Sequence, residues 1–402
     1  MSKLFFLIIL FPIFIFVGCS LMNTLPDTDD SDEQEESSEL TGSETEPSPG
    51  IDPEPNPDDS HESDPDIRSG QYEDDDFTSE SEPDVPPVFG FIDAHADTIS
   101  RALLLDPDKR GLYKNDSLDV DFYRLSQFDA PVQVFALWLS DRFVSDGFEQ
   151  TNLMIDFFEQ EVAANSEIIE IALNSDDIKR IAGEGKISAV LSIEGGEALM
   201  GKIEYLDHFY NRGVRILSPT WNRENELGFG QATGSSQGLK PFGIEVIQRM
   251  DYLGMILDVS HLNEAGFWDA HNISTRPYMA SHSNAYSVMP HNRNLKDDQI
   301  SAIAKCGGLI GFNMFPSIIA SGNRVSLDDV IKHFKHFIEI GAGDHIGFGF
   351  DLDGIPSMPT GFTDVSSVKV IVELLTDEFG EEIAFNITEG NFYNFFVRYF
   401  ED

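Results

Sequence analysis

The fold of this chain is constrained most by an alternation of short apolar segments with longer helical segments between residues 88 and 402. Eight apolar segments are rich in β-branched and aromatic residues, and they begin at residues 88, 131, 187, 213, 255, 277, 307 and 345. Between them, apolar residues recur at helical spacing. Strands that alternate with helices form a parallel sheet covered by helices on both faces. Eight such units in about 315 residues predict one (β/α)8 TIM barrel, an α/β fold, rather than a doubly wound sheet.

Several predicted strands end in histidine or carboxylate residues. The first segment contains Asp93, His95 and Asp97, which alternate along the strand and are expected to face one way. The candidate site residues at the strand ends are His95, Asp97, Glu194, His261, His282 and Asp351. Because (β/α)8 barrels carry their active sites at the carboxyl ends of the strands, we expect these side chains to meet there.

Histidine and carboxylate ligands suit zinc and similar divalent ions. His95 and Asp97 can hold one ion, and His261 and His282 can hold a second. Glu194 ends the third predicted strand and is placed to bridge the two ions. A single buried histidine is more often a hydrogen-bonded core residue, but a whole cluster would be destabilising without cations to neutralise it. The sequence therefore predicts two divalent ions, taken as zinc.

The motifs, in order, resemble the membrane (renal) dipeptidase family of zinc peptidases over residues 88 to 400. The matching segments are "DAHAD", "EGG", "LGMILDVSH", "SHSNAYSVMPHNRNL", "GFGFDLDG" and "EGNFYNFF". The resemblance implies an amidohydrolase-like, metal-dependent hydrolase that cleaves the peptide bond of dipeptides with a metal-bridging hydroxide. It also implies that His95 and Asp97 bind one zinc ion, that Glu194 bridges, and that His261 and His282 bind the other.

The same resemblance assigns the remaining roles. Asp351 matches the acid of the eighth strand, which orients the water, takes its proton and passes it to the leaving amine, although Asp353 is close by. Arg293 matches an arginine that holds the carboxylate of the substrate. The renal enzymes carry a histidine for the oxyanion on the fourth strand, where this sequence has Trp221 followed by Asn222. We assign both residues to substrate binding, and this departure leaves the oxyanion donor and the substrate preference open.

Two other functions remain to be weighed. Other amidohydrolase-type metal hydrolases, such as deaminases or phosphotriesterase-like enzymes, usually have His-x-His on the first strand, whereas this chain has His-x-Asp. A non-catalytic surface lipoprotein could keep the barrel as a binding module. Such a protein would be expected to lose metal ligands, and none of the expected ligands is lost here.

The first 87 residues predict export rather than a folded domain. Residues 1–19 comprise one positive charge, an apolar run and Gly18-Cys19, which resembles the lipobox of bacterial lipoproteins, with Phe16 as a departure. Residues 20–87 are rich in Ser, Pro, Asp and Glu and contain one basic residue, Arg68, so they are expected to form a disordered acidic tether. We expect Cys19 to be lipidated and the barrel of residues 88–402 to be anchored to a bacterial membrane in the cell envelope, with plain secretion as the alternative.

Charge and cysteine content limit the partners. The net charge of −45 argues against nucleic acid. If Cys19 carries lipid, Cys306 is the one remaining cysteine and no disulfide can form within the chain. The remaining histidines considered, His208, His271, His333 and His336, are expected to be surface or structural residues. The oligomeric state is left open, with a homodimer as one alternative.

Overall fold

The structure is a computed structural model that describes residues 90–401 with the exception of residue 323. The predicted signal segment 1–19, its Cys19 and the linker 20–87 lie outside the described residues. The strands are β1 Ile92–Ala96, β2 Val132–Trp138, β3 Ile169–Ile171, β4 Ile187–Glu194, β5 Val214–Ser218, β6 Ile256–Leu257, β7 Met279–Ala280, β8 Leu309–Phe312 and β9 Ile346–Phe348.

The helices follow the strands along the chain. They are α1 Thr98–Leu104, α2 Phe122–Leu125, α3 Gly147–Ala164, α4 Ser175–Gly183, α5 Ile203–Asn211, α6 Pro241–Leu253, α7 Glu264–Ile273, α8 Asp297–Lys305, α9 Pro316–Ile319, α10 Leu327–Glu339, α11 Val368–Phe379, α12 Glu381–Phe385 and α13 Asn391–Glu401. None of the described helices is both long enough and apolar enough to cross a membrane.

The sheet is parallel and nearly closed. Its strand order is β6-β5-β4-β2-β1-β9-β8-β7, and a parallel bridge between Asp258 and Met279 connects the β6 and β7 ends. These eight strands are those predicted from the sequence, which confirms the (β/α)8 barrel. The ninth strand, β3, was not predicted and pairs with the first residues of β4.

The two ends of the barrel differ in chemistry. At the amino ends of the strands, α13 packs Phe392 and Phe396 into an apolar cluster that includes Val132 and Val134. The Tyr399 hydroxyl of α13 also donates a hydrogen bond of 2.5 Å to the carbonyl oxygen of residue 255. Apolar packing therefore closes the end of the barrel at the amino ends of the strands.

A register shift in β1 modifies one expectation. Asp93 pairs with Gln133 of β2, and the register changes between Asp93 and Ala96. The Asp93 carboxylate accepts hydrogen bonds from the Gln133 side chain at 2.8 Å and from the Phe350 backbone N–H at 2.8 Å. The prediction that Asp93 shares a face with His95 and Asp97 is therefore wrong, because the irregular register separates it from them.

Candidate metal centre

The predicted site residues lie at the carboxyl ends of the barrel strands. His95 lies in β1 and Glu194 ends β4, while Asp97, His261, His282 and Asp351 follow β1, β6, β7 and β9. The five predicted metal ligands among them are buried. Asp97 occupies the N-cap position of α1, yet its side chain makes no capping hydrogen bond. Its carboxylate is therefore available to the site instead of serving the helix.

The carboxylate of Glu194 faces two groups of side chains at once. Its Oε1 atom lies 2.8 Å from Nε2 of His261 and 3.5 Å from Nε2 of His282. Its Oε2 atom lies 3.5 Å from Nε2 of His95, and that nitrogen is 3.7 Å from Oδ2 of Asp97. The structure thus brings the five predicted ligands together, with Glu194 between the two pairs.

The donor atoms of the cluster fit divalent ions. Ligand atoms of His95, Glu194 and His282 lie within 4.8 Å of one another, and so do those of His95, Asp97 and Asp351. Within the described part of the chain, His95 Nε2 and Asp97 Oδ1 are buried without a hydrogen-bond partner. Buried polar atoms normally have partners, and a cation coordinated by these lone pairs would supply them.

Burial and mutual repulsion perturb the acids of this cluster. The pKa of Asp97 is raised to about 6 by burial and by the charge of Glu194. The pKa of Asp351 is raised to about 8, mainly by burial, with repulsion from Asp97 and Glu194 adding to it. Burial also opposes ionisation of Glu194, but the neighbouring His95 and His261 outweigh it and lower the pKa of Glu194. The carboxylates of the cluster carry more negative charge than the neighbouring side chains neutralise. Such an excess is typical of a cation site.

The histidines respond in two ways. Burial and the nearby Arg293 lower the pKa of His261 to about 4, and burial with the charge of His95 lowers the pKa of His282 well below its usual value. Burial acts on His95 in the same sense, but Glu194 and Asp97 overcome it and raise the pKa of His95. Neutral His261 and His282 have the protonation state that a metal ligand requires.

Asp351 and Asp353 follow β9 with the same left-handed backbone, at φ values of 64° and 66°, but their carboxylates lie in different places. Oδ2 of Asp351 accepts a 2.9 Å hydrogen bond from the Asn313 side chain, within the cluster. The carboxylate of Asp353 instead accepts hydrogen bonds from Thr98 at 2.7 Å and from the Asp119 backbone N–H at 2.7 Å. Of the two acids, Asp351 is therefore the one that adjoins the candidate metal ligands.

Gly354 lets the Asp97 and Asp351 carboxylates approach each other. A Cβ atom at this position would collide with the carboxylate oxygens of both aspartates. A glycine is the residue that leaves this space open.

A cavity of about 510 Å³ opens onto the cluster, and the three predicted substrate-binding residues line it. The buried guanidinium of Arg293 donates hydrogen bonds to the backbone oxygen of Ser260 and, at 3.3 Å, to that of His282. The Trp221 ring packs against Trp138, with ring centroids 5.2 Å apart. The Asn222 side-chain oxygen lies 3.0 Å from Nδ1 of His261. Their binding of substrate stays a prediction.

A family model for membrane dipeptidases, peptidase family M19, matches residues 84–398. The chain belongs to the membrane dipeptidase family. It is a metallodipeptidase, a metal-dependent hydrolase whose family acts on dipeptides.

Individual relatives of this membrane dipeptidase are distant. An uncharacterized protein in the pqqA 5′ region of Klebsiella pneumoniae is 34% identical over 226 residues, covering 54% of this chain and 83% of the relative. An uncharacterized dipeptidase of Schizosaccharomyces pombe is 32% identical over 257 residues, covering 62% of this chain and 59% of the relative. A metallopeptidase of Rhodobacter sphaeroides, solved with a phosphinate mimic of the dipeptide L-Ala-D-Ala, has the same fold, with a TM-score of 0.71 at 24% identity. That likeness covers 77% of this chain and 98% of the solved chain.

Sequence reasoning missed several residues of this dipeptidase site. Trp138 ends β2 and lines the cavity, and Asn313 follows β8 and holds Asp351. Both stand at strand ends, which is the signal that identified the other site residues. His291 also lines the cavity, and its Nδ1 accepts a 3.1 Å hydrogen bond from the Arg293 backbone N–H. No strand ends near His291, so the same signal could not have found it.

The four histidines predicted to be surface or structural do not line the main cavity of the dipeptidase. His333 is fully buried in α10, and His208 bonds to the Asn152 side chain at 2.8 Å. His271 contacts the Tyr278 hydroxyl at 2.8 Å, and His336 pairs with Asp297. Cys306 is a free thiol within the described part of the chain, and Cys19 lies outside that part.

Proposed function

We propose that this membrane dipeptidase is a dinuclear zinc enzyme in which Glu194 bridges the two ions. His95 and Asp97 would hold one ion, and His261 and His282 would hold the other. The observation that carries the proposal is the orientation of Glu194, whose two carboxylate oxygens face the separate pairs. When bound, two zinc ions would lower the pKa of a shared water towards neutrality, to give the attacking hydroxide, and would polarise the scissile carbonyl.

Asp351 supplies the proton transfer in this proposal. Its carboxylate adjoins Asp97 and is held by the Asn313 amide, which supports a role beside the proposed water. A carboxylate at this position can take the proton from the water and deliver it to the leaving amine. Asn313 can keep the carboxylate aimed at the reacting atoms throughout, because its amide N–H can only donate to Asp351.

Arg293 limits the length of the substrate in this proposal. Its guanidinium keeps its charge at all relevant pH values and can bind the terminal carboxylate of a peptide through two hydrogen bonds. The cavity of about 510 Å³ has room for more than a small dipeptide, so the position of the bound carboxylate relative to the cluster, rather than the volume, would select dipeptides. The ligand of the Rhodobacter sphaeroides metallopeptidase, a mimic of L-Ala-D-Ala, supports dipeptides that include a D-residue at the carboxyl side.

Trp221 and Asn222 are uncharged residues of the proposed substrate site. We place the Trp221 ring and the Asn222 amide beside the substrate because both line the cavity. Neither residue reproduces the histidine of the renal enzymes, so the preference for substrate side chains is expected to differ from theirs.

We also propose that the enzyme is exported and anchored through lipid on Cys19, with the acidic linker as a tether. This part of the proposal rests on the sequence of residues 1–19 and 20–87. Anchoring would place the dipeptidase in the cell envelope, where it would meet small peptides outside the cytoplasm.

Hydrolysis by the zinc-loaded full chain tests the proposal. We expect cleavage of L-Ala-L-Ala and L-Ala-D-Ala, with much weaker cleavage of Ala-Ala-Ala and of dipeptide amides. A phosphotriester and a nucleoside should remain unchanged, which separates this function from the other amidohydrolase activities. Two zinc ions bound without turnover of any dipeptide would contradict the proposed activity and favour a binding module.

A further inference from the structure

Asp258 is a buried carboxylate, just after β6, that the mechanism above does not use. It is fully buried, and five hydrogen bonds converge on its two oxygens. Oδ1 accepts from the backbone N–H groups of Ser260 at 3.0 Å and Ser281 at 2.9 Å, and from the Ser260 hydroxyl at 2.7 Å. Oδ2 accepts from the hydroxyls of Ser218 and Ser281, both at 2.6 Å. Both of these hydroxyls donate to Oδ2, so the proton of each is committed to Asp258.

The Ser281 hydroxyl lies between Asp258 and two candidate metal ligands. Its oxygen is 2.7 Å from Nδ1 of His282 and 3.3 Å from Nδ1 of His95. A hydroxyl has one proton, and Ser281 commits that proton to Asp258. The Ser281 oxygen can then only accept, so the proton of each neutral imidazole must be on Nδ1. In each neutral ring the lone pair is then on Nε2, which faces Glu194 in both residues. Nε2 of His282 also lies 2.8 Å from Nε2 of His261.

We propose that Asp258, acting through Ser281, is the positioning residue that sets the tautomer of His95 and His282 together. The inference rests on the proposed dinuclear site, in which these two histidines belong to different ions. One buried carboxylate would thus prepare one ligand of each ion. Partners behind a metal-binding histidine commonly fix its ring and its tautomer in this way.

The barrel holds Ser281 rigidly in this position. Gly311 in β8 and Gly349 after β9 both pass close to the Ser281 backbone oxygen, and a Cβ atom on either glycine would collide with it. The Ser281 backbone N–H is also bound by Asp258. The hydroxyl therefore has little freedom to leave the two histidines.

His261 has a separate partner and serves as an internal reference. The Asn222 side-chain oxygen, which can only accept, lies 3.0 Å from Nδ1 of His261. The same oxygen accepts a 2.7 Å hydrogen bond from the Gln231 amide, which fixes its orientation. The tautomer of His261 is therefore set without Asp258.

The tautomers can be measured directly by nitrogen NMR of the metal-free full chain labelled at histidine. At a pH high enough to leave the three rings neutral, we expect the Nδ1–H tautomer for His95, His261 and His282 in the wild type. In Asp258→Asn, the new amide can donate to Ser281, whose hydroxyl is then free to donate to a ring nitrogen. We expect His95 and His282 to shift towards Nε2–H while His261 stays unchanged.

Zinc titration supplies the second measurement. A proton on Nε2 must be displaced before a metal can bind, so Asp258→Asn should weaken both zinc sites by about 10- to 100-fold. Ser218→Ala is the matched control, because it removes a hydrogen bond to the same oxygen of Asp258 and leaves the hydrogen bond from Ser281 in place. That variant should lower thermal stability while leaving tautomers and zinc affinity close to the wild type.

Ser281→Ala carries the test if Asp258→Asn does not fold. It removes the relay and keeps the backbone, so His95 and His282 should become mixtures of tautomers and bind zinc more weakly. Unchanged tautomers in this variant, or Nε2–H tautomers in the wild type, would overturn the inference. Because the NMR measurement needs no metal, it remains informative even if the wild type fails to bind two zinc ions and the proposed function fails.

Discussion

Asp351 and Asp353 have the same backbone conformation but different expected roles, because their carboxylates contact different partners. Both residues have positive φ values after β9, a conformation that most residues with a side chain avoid. Asp353 uses its carboxylate to bind the backbone of residues 119 and 120, so it holds two loops together. Asp351 turns towards Asn313 and the metal candidates.

Asp351→Asn should lower turnover by about 10²- to 10⁴-fold, because the amide keeps the shape but cannot accept the proton of the attacking water. Metal content and substrate affinity should be largely retained, which steady-state kinetics and metal analysis would check. Asp353→Asn is the matched control. It should reduce stability through the loops it binds and leave turnover near that of the wild type. Near-normal turnover in Asp351→Asn would show that another group is the base.

Arg293→Ala should act mainly on binding. A hydrogen bond to a charged group contributes about 1.5–3 kcal/mol, so KM for a free dipeptide should rise by about 10- to 150-fold. The preference for a free carboxylate over an amide should disappear with it. Arg293→Lys keeps the charge but lacks the planar pair of donors, so its KM should lie between those of the wild type and Arg293→Ala. If Arg293→Ala still prefers substrates with a free carboxylate over amides, Arg293 is not the residue that binds the substrate carboxylate.

Single residues were predictable where they mark the end of a strand. His95, Glu194, His261 and His282 could be found because a strand pattern stops at each of them. Asp258 and Ser281 precede two of these histidines, but their role depends on β5, β6 and β7 meeting inside the barrel. The contact between these three strands forms only in the folded barrel, so no local sequence pattern predicts it.

At the scale of elements, the eight barrel strands were predictable because each is apolar and bounded by helical segments. The three-residue β3 was missed because so short a strand has no measurable period. The register shift in β1 was missed for another reason. It depends on how β1 pairs with β2, and the sequence of β1 alone still alternates regularly.

Helix α10 is docked through a buried neutral histidine. His333 Nδ1 accepts a 3.2 Å hydrogen bond from the Ala285 backbone N–H, and Nε2–H donates at 2.8 Å to the Ile319 backbone oxygen. Burial lowers the pKa of His333 to about 4. Its folded-state pKa lies below the unfolded value of about 6.5, so the unfolded chain binds the extra proton between these values.

The stability that neutral His333 contributes should therefore be full above pH 6.5 and fall as the pH drops towards 4. At pH 5 the loss should be about 2 kcal/mol in the free energy of unfolding. His333→Gln offers the same donor and acceptor without a titratable group. Urea unfolding of both proteins at pH 7.5 and pH 5 would show the loss as a difference between them. An equal pH dependence in the two proteins would contradict the neutral state of His333.

At the scale of the whole molecule, the anchoring of the barrel can be tested with the two cysteines of the chain. Cys19→Ser should release the protein from the membrane fraction with its dipeptidase activity intact, because only the lipidated residue is lost. Cys306→Ser is the matched control and should remain with the membrane. Cell fractionation of a bacterial host would measure both. A Cys19→Ser protein that stays in the membrane with an uncleaved amino terminus would indicate a signal anchor instead.

The sequence predicts the barrel better than it predicts the oligomeric state or the substrate preference. The barrel could be predicted because its regular alternation repeats eight times and its ligands stand at equivalent positions in the repeat. The oligomeric state could not be predicted from this repeat, because it depends on which surface side chains contact a second copy of the chain. Substrate preference depends likewise on the shape of the cavity that Trp138, Trp221 and His291 line together.

Metal analysis of the wild type and of Glu194→Gln tests the central claim most directly. If Glu194 bridges two ions, the purified wild type should hold two zinc ions per chain. Glu194→Gln should weaken both sites together, because the amide replaces one of the two carboxylate oxygens by a nitrogen that does not bind the metal. Measuring zinc by mass spectrometry after dialysis against a weak chelator would give the stoichiometry of each protein. Two ions retained by Glu194→Gln, or a single ion in the wild type, would contradict the shared carboxylate.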